Sequence, residues 1–338
     1  VAKLLLDYRL EGTSVSNPDG SFPTTFTGTS PANGPGTSGL GPLLKALDLG
    51  HAGKARVDLK GLKPNLGRFC IRVVFRAAGP VAGRQTLVQS NLLPFALFLD
   101  AGDNAGEFNL FGSVDLSTGG WRGPSTHFKK GLGPGVWYTA DLVYDTDTAA
   151  LFVDGTCVGV HAFPDGSLKK HEGKKLFIGT SPGGKDDHFD GSLAGLQWYS
   201  GIPDEIEARL NEQRTRPEWF ITYKRESMRD RVDLGQRTGG IDYLWYAGES
   251  YVQRYERGAI MYHDSVGAAF EMHGAIHDLY FSSRRLAQAL GYLVSDEGDT
   301  TRAGGRKNLF SNGGIYWSPG IGAVPVTDEI YLEYELLG

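Results

Sequence analysis

The sequence predicts a mainly β chain: a β-sandwich over residues 1–213, then a smaller α+β domain over 231–338 built from repeated hairpin–helix units. Three observations carry this. Short runs from Lys3 to Tyr199 alternate apolar and polar residues, and a period of two marks a strand with one buried face. Glycine is abundant, with 48 Gly beside 16 Pro, which supplies the tight turns that many short strands require. In the last hundred residues, one segment is followed by a similar one about 55 positions later, a period at which repeats form stacked or closed arrays.

Bulk properties set the limits. The chain has 338 residues, 40% of them hydrophobic and 22% charged, which suits two globular domains. A net charge of -5 excludes a general attraction to nucleic acid. No apolar run is long enough for a membrane span. The chain begins at Val1 rather than Met and is read as a mature or trimmed chain. Cys70 and Cys157 are too few for a disulfide-dense scaffold or a Cys-based zinc cluster. One bridge between them and two buried thiols both remain open, since spacing alone does not bring their α-carbons together.

Taken in order, RFCIRVVFR at 68–76 sets Phe69, Ile71, Val73 and Phe75 on one face against Arg68, Cys70, Arg72 and Arg76 on the other. WYTADLVYD at 137–145 is a second strand of this kind. In ALFVDGTCVGV at 150–160, Asp154-Gly155 separates two apolar runs, and this pair accepts the positive φ angles of a type I′ hairpin. KLFIGT at 175–180 and SLAGLQWYSG at 192–201 complete the series. PDEIEARLNEQ at 203–213 is a short helix: Pro203 is near its start, acids fill its first turn, and Ile206 and Leu210 share one face.

The order GVWYTADLVYD, LFVDGTCVGV, LFIGTSPGG and FDGSLAGLQWYSGIPDEIEARL resembles the laminin-G-like branch of the concanavalin-A-like lectin fold, over about residues 1–212. The resemblance implies a two-sheet jelly-roll sandwich, often with bound calcium and often used to bind glycans or extracellular proteins. Trp137 and Trp198 lie on strands and are expected in the core. Trp121 lies in the glycine-rich loop STGGWRGPST beside Arg122, so a flat ring for a sugar's apolar face stands next to a donor for its hydroxyls. These two are the ligand-binding candidates of the sandwich. KDDHFDG at 185–191 concentrates hard oxygen donors, and Asp186, Asp187 and Asp190 are the candidate calcium ligands, although the EF-hand spacing is absent. A solvated acidic turn is the alternative.

Residues 214–230, with Pro217 and the apolar Trp219, Phe220 and Ile221, are expected to form a docked linker. Beyond it, QRYERGAIMYHDSVGA at 253–268 aligns with NLFSNGGIYWSPGIGA at 308–323. Tyr255 then matches Phe310, Ile260 matches Ile315, and Tyr262 matches Trp317. An aromatic position that recurs in each unit is expected to pack unit against unit first, and Tyr262 and Trp317 are secondary ligand-binding candidates. GAIHDLYFSSRRLAQAL is a helical stretch that ends at the C-cap candidate Gly291. LGYLVSDE, followed by the GGIYWSPGIGA strand, resembles the LGFP repeat over about residues 231–338, with Leu293 where that family has Pro. Losing the proline frees a backbone N–H and is expected to loosen the loop. The preceding copy keeps only Leu234-Gly235. A third starts at Ile330 and breaks off at Gly338, so a face beside Ile315 and Trp317 is expected to need a cover. The resemblance implies an extracellular location and attachment to a cell envelope or other polysaccharide matrix.

Enzyme signatures are sparse. The nearest string to the paired-carboxylate strand of one concanavalin-A-like hydrolase family is EIYLE at 329–333, which has Tyr331 at the central position and lies in the wrong domain. G-x-S-x-G, H-E-x-x-H and the phosphate-binding loop are absent. His263, His273 and His277 form a local group, expected to be packed or solvated rather than metal-bound. The reading is a secreted, lectin-like carbohydrate-binding or cell-surface adhesion protein, with an extracellular glycan or cell-wall polysaccharide as partner and calcium as the candidate cofactor. The alternative is a polysaccharide lyase or hydrolase on the same sandwich.

Overall fold

The alternation in RFCIRVVFR becomes the two faces of a central strand. Phe69, Ile71, Val73 and Phe75 are fully buried between two sheets, and Arg68, Arg72 and Arg76 lie on the outer face. The computed structural model describes residues 2–11, 14–16, 22–38, 41–50, 52–64, 67–127, 129, 131–164, 166–183, 187–301, 304–327 and 330. The chain divides into two units, Val1–Gln213 and Arg214–Gly338.

The first unit carries, in chain order, β1 (Lys3–Glu11), β2 (Ser14–Ser16), β3 (Thr24–Thr27), β4 (Ser30–Ser38), β5 (Gly41–Asp48), β6 (Lys54–Asp58), β7 (Arg68–Ala77), β8 (Gln85–Ser90), β9 (Phe95–Ala101), β10 (Phe108–Leu116), β11 (Gly120–Arg122), β12 (Tyr138–Asp145), β13 (Thr148–Val153), β14 (Thr156–Ala162), β15 (Lys175–Ile178), β16 (Gly191–Ser200) and the helix α1 (Asp204–Gln213). One sheet runs β14-β13-β12-β7-β16-β1-β2, with β5 also on β16 and β4 on β5. The other runs β11-β10-β9-β8-β15-β6-β3. One core fills the space between them, and Trp198, fully buried, meets Phe95 edge-on at 5.1 Å. Trp137 is partly buried in a smaller cluster outside the sandwich, with Leu43, Ala46 and Val74. The β13–β14 hairpin turns through Asp154 at φ 49° and Gly155 at φ 78°, the two positive angles a type I′ turn needs. Ile206 and Leu210 anchor α1 by its apolar face. Both cysteines are free thiols.

The second unit carries α2 (Pro217–Ser227), β17 (Arg237–Leu244), β18 (Ser250–Tyr255), β19 (Gly258–His263), β20 (Ala268–His273), α3 (Gly274–Ser282), α4 (Arg284–Leu290), β21 (Gly298–Asp299), β22 (Arg306–Phe310), β23 (Gly313–Ser318) and β24 (Gly322–Thr327). Residues 214–230, expected as a linker, thus hold a helix: Phe220 and Ile221 pack with Met228, Leu234, Ile260 and Tyr262. Strands β17 to β20 form one four-stranded sheet and β21 to β24 another. The repeat is visible in the hydrogen-bond register. Tyr251 pairs with Tyr262 and Arg306 with Trp317, each 55 positions on, and Tyr255↔Gly258 matches Phe310↔Gly313 in the same way. The third strand slips by one residue, because Gly258 pairs with His273 but Gly313 with Thr327.

Helices and sheets alternate. α2 lies on the Ile260–Tyr262 face of the first sheet, and Ala259 and Met261 point the other way, into a core shared with Ile276, Tyr280, Leu290 and Ile315. α3 packs against β19 and β20 as well as β23 and β24. This corrects the expectation of an open face: Ile315 is fully buried, and Trp317 packs against the same core, covered by the helices that precede their sheet. The segment expected to begin a third copy lies, apart from Ile330, outside the described residues.

The repeat's motif residues hold these layers. Leu234 and Leu290 are fully buried plugs, and Gly235 and Gly291 follow them at φ 77° and 76°. A β-carbon on Gly291 would meet Ser311 Oγ at 2.0 Å, so both the angle and the space call for glycine. Ser295 Oγ accepts from the Leu309 N–H, and its carbonyl accepts from Asn308 Nδ2. Asp296 accepts from the Glu271 N–H and from Lys224. The N–H that Leu293 keeps in place of proline donates to Met261 Sδ at 3.4 Å, and its side chain is 1% exposed. The loop expected to loosen is therefore tied down, since a buried N–H finds a partner.

Candidate functional site

Site geometry begins at the hairpin linking β10 and β11. Its turn runs through Gly119 at φ 88° and Gly120 at φ 75°, which only glycine adopts freely. This short turn places Trp121 directly across from Asp115. Paired residues in antiparallel strands share a face, so both belong to the outer face of the second sheet. Trp121 is 41% exposed and Asp115 only 4%. His171 Nε2 lies 3.0 Å from Asp115 Oδ2, and Lys169 Nζ lies 4.0 Å from the same oxygen. The backbone closes this association, with Lys169 N–H on the Asp115 carbonyl and the Asp115 N–H on the Pro94 carbonyl. A flat ring therefore stands beside a buried carboxylate oriented by a partly exposed imidazole.

Arg122 takes another direction. Neighbours on a strand face opposite ways, and its guanidinium turns back to the carbonyls of Gly119 at 3.3 Å and Thr118 at 3.5 Å, bracing the turn. Farther along β10 the same outer face shows Phe111, stacked on Phe98 at 5.1 Å with 3° between planes, and Arg84 sits over Phe98 at 3.8 Å. Four residues separate Phe111 from Asp115, or about 13 Å of strand. The outer face thus has an aromatic pair at one end and a lone tryptophan at the other.

In the acidic loop, Asp186 lies outside the described residues. Asp187 accepts from Thr86 Oγ1 at 2.8 Å and from the Ser181 N–H at 3.3 Å, so both its oxygens brace the loop. The Asp190 N–H donates to Gln85 Oε1. Among the described residues no group of three or more His, Cys, Asp or Glu is placed to hold a metal ion. The three histidines of the second unit separate: His263 bonds the Gly248 carbonyl, His273 bonds Glu271, and His277 bonds Asp278.

A cleft of about 520 Å³ lies on the outer side of the first sheet, lined in part by Arg72, Trp137, Asp141, Glu205 and Arg209. Its polar groups brace one another. Arg72 meets Asp141 through Nε–Oδ1 at 2.5 Å, and Arg209 donates to the Gly155 carbonyl at 2.6 Å. Burial pushes the Asp141 carboxyl up against the pull of Arg72, and burial likewise holds the Cys70 thiol well above its ordinary range, which makes it a poor nucleophile.

In the second unit, Tyr262 is 5% exposed and stacks under Phe220 at 4.6 Å and 15°. Trp317 is partly buried against the core of α3 and α4. Among the described residues the exposed aromatics there include Tyr223 at 39%, Tyr243 at 50% and Trp245 at 62%. None of these drew notice in the sequence, nor did Asp115 and His171. Asp115 sits in an alternating strand like any outward polar residue, and His171 lies 56 positions away without a motif.

Residues 61–205 match the family model of the concanavalin A-like lectin/glucanases superfamily, and residues 290–338 match the LGFP repeat. No curated protein matches. Among solved structures, domain 4 of AbnA, a GH43 extracellular arabinanase from Geobacillus stearothermophilus in complex with arabinotriose, is similar at 17% identity and a TM-score of 0.45, over 61% of this chain and 96% of that one. The botulinum neurotoxin serotype D binding domain is similar at 8% identity and a TM-score of 0.42, over 93% of this chain and 71% of that one. Among the described residues no helix is long and apolar enough to cross a membrane.

Proposed function

With a concanavalin A-like segment at 61–205 and an LGFP repeat at 290–338 as the premise, we propose that this protein binds an extracellular or cell-envelope glycan on the outer face of its second sheet. The observation that carries the reading is Trp121, exposed and held across from the buried Asp115 and its imidazole partner His171. A sugar's C–H face stacks on the indole, and the carboxylate and imidazole meet its hydroxyls. Their orientation is set before the ligand arrives, which lowers the ordering cost of binding. A glycosidase requires two carboxylates about the scissile bond, whereas among the described residues the groups brought beside Trp121 are the Asp115 carboxylate, the His171 imidazole and the Lys169 ammonium. Binding is therefore favoured over hydrolysis.

The test is a glycan array run in calcium and in chelator, beside reducing-sugar and unsaturated-uronate assays. Trp121→Ala should weaken binding at least about 10-fold, or ~1.4 kcal/mol, and leave the melting temperature unchanged. Unaltered affinity in that variant would remove the site. Release of sugar by the wild-type chain would favour the lyase or hydrolase reading. A melting temperature that rises with calcium concentration would support a calcium site at Asp186–Asp190.

A further inference from the structure

Comparison of the two repeat copies isolates a surface that the common fold does not require. In the first sheet a transverse row reads Tyr243, Tyr251, Tyr262, Ala269 across β17 to β20. In the second sheet the corresponding row reads Asp299, Arg306, Trp317, Ala323 across β21 to β24. The last two positions are alike: an aromatic residue packed on a helix core, then alanine. The first two differ entirely. Arg306 and Asp299 close on each other at 2.6 Å, and Arg306 also reaches Glu297 at 3.1 Å. Tyr243 and Tyr251 instead lie with ring centres 5.2 Å apart, and Tyr251 continues to Tyr262 at 6.5 Å. Since an ion pair serves the backbone equally well in the second copy, packing alone does not call for two tyrosines in the first.

The aromatic packing continues onto α2, whose Phe220 covers Tyr262. Tyr262 stacks on Phe220, Phe220 meets Trp219 edge-on at 5.2 Å, and Trp219 stacks on Tyr223 at 5.2 Å. Tyr243 and Tyr223, at the two ends, are 50% and 39% exposed. Carboxylates flank the Tyr243 end. Desolvation first, then Glu249, Tyr251 and Asp264, hold the Tyr243 phenol above its ordinary range, and the Tyr262 hydroxyl bonds Asp264. The loop bearing Glu249 is pinned. His263 Nδ1 accepts from the Ser265 N–H, so Nε2 carries the proton and donates to the Gly248 carbonyl at 2.6 Å. The imidazole also stacks on Tyr292 at 3.7 Å. Glu249 is held at φ 64°, an angle that only a determined loop imposes on a glutamate.

We propose that Tyr243 and its neighbour Tyr251, at the open end of this row, form a second binding surface, for an uncharged polysaccharide chain. A sugar's C–H face stacks on the exposed Tyr243 ring beside Tyr251, and the Tyr243 hydroxyl with Glu249 and Asp264 bonds the sugar's hydroxyls. The same carboxylates disfavour polyuronates and nucleic acid. The surface deepens the glycan reading without depending on Trp121.

The test uses the full chain and its Trp121→Ala form, each with Tyr243→Ala and, separately, with Tyr243→Asp/Tyr251→Arg, which installs a pair that the second copy already accommodates. The probes are a soluble uncharged glucan and polygalacturonate as the anionic control. Both tyrosine variants should lose about 10-fold in glucan affinity in either background with unchanged melting temperature, and polygalacturonate should bind weakly throughout. Loss of binding with Trp121→Ala alone, the tyrosine variants behaving as their parents, would overturn this surface and leave the first site standing. Loss with the tyrosine variants alone would support this surface and overturn the first site. Equal binding of polygalacturonate would overturn the charge argument and with it the proposal.

Discussion

Tyr255 and Phe310 occupy the same place in two sheets of identical hairpin register, yet their surroundings differ. Phe310 is 1% exposed and stacks on Tyr280 at 4.8 Å and 9°. Tyr255 is 7% exposed and lies beneath the Arg225 guanidinium at 5.3 Å. The difference comes from the covering helices. A single helix, α2, lies on the first sheet, whereas α3 and α4 fill the space between both sheets and bring Tyr280 onto Phe310. Strand register belongs to the repeat, but burial belongs to whichever element lies on top. A repeat position therefore predicts pairing more securely than it predicts energy.

The largest expected effect breaks this comparison most directly. Phe310→Ala should destabilise the second unit by about 3–5 kcal/mol, as full aromatic truncations in cores do. Tyr255→Ala should cost clearly less, because one side of its site is the Arg225 guanidinium rather than a stacked core ring. Denaturant melts of both variants decide, and equal losses would show that position, not cover, sets the energy.

Next in size is the tie between the copies. His273 Nδ1 lies 2.8 Å from Glu271 and 3.3 Å from Glu297, which belongs to the loop of the second copy. The bond to Glu271 raises the imidazole above its ordinary value against the opposing effect of burial, with Glu297 adding to the rise. A raised folded value means that this contribution is fully present below about pH 6.5, the ordinary histidine value. It is lost as pH rises through the folded value. The second unit should thus melt lower on the alkaline side, by about 1–2 kcal/mol in stability. His273→Gln should flatten that slope, and an unchanged pH profile in the variant would discount the tie.

The smallest effect sharpens the contrast between the first positions of the two rows. A double-mutant cycle on Arg306→Gln and Asp299→Asn should return about 0.5 kcal/mol, the scale of an exposed pair. A coupling several times larger would mean that the second copy needs its charges, and the tyrosines of the first would no longer stand out as dispensable to the fold.

Much of the architecture is legible in the chain. RFCIRVVFR carries its inside and outside in alternation, and Asp154-Gly155 carries its turn type, because both are decided by neighbours in sequence. Leu290-Gly291 likewise marks a plug and a positive φ. The candidate sites are less legible. Trp121 is visible as an aromatic residue in a glycine loop, but Arg122 beside it turns to the opposite side, since a strand reverses its face at every residue. His171 reaches Asp115 only because the chain returns to β10 by way of backbone bonds from Lys169.

What the sequence by itself determined is periodic or local: the alternation of the sandwich strands, the 55-residue register of the second unit, and the glycines at positive φ. Each rests on φ, ψ preferences and on side chains a few positions apart. Only the tertiary structure decided which aromatic rings reach solvent. Tyr262 and Tyr243 are both tyrosines in one transverse row of one sheet, 5% and 50% exposed. Phe220 lies over the first and nothing among the described residues covers the second to that degree. Exposure depends on the element that arrives from elsewhere in the chain, and no spacing within a strand records where that element will settle.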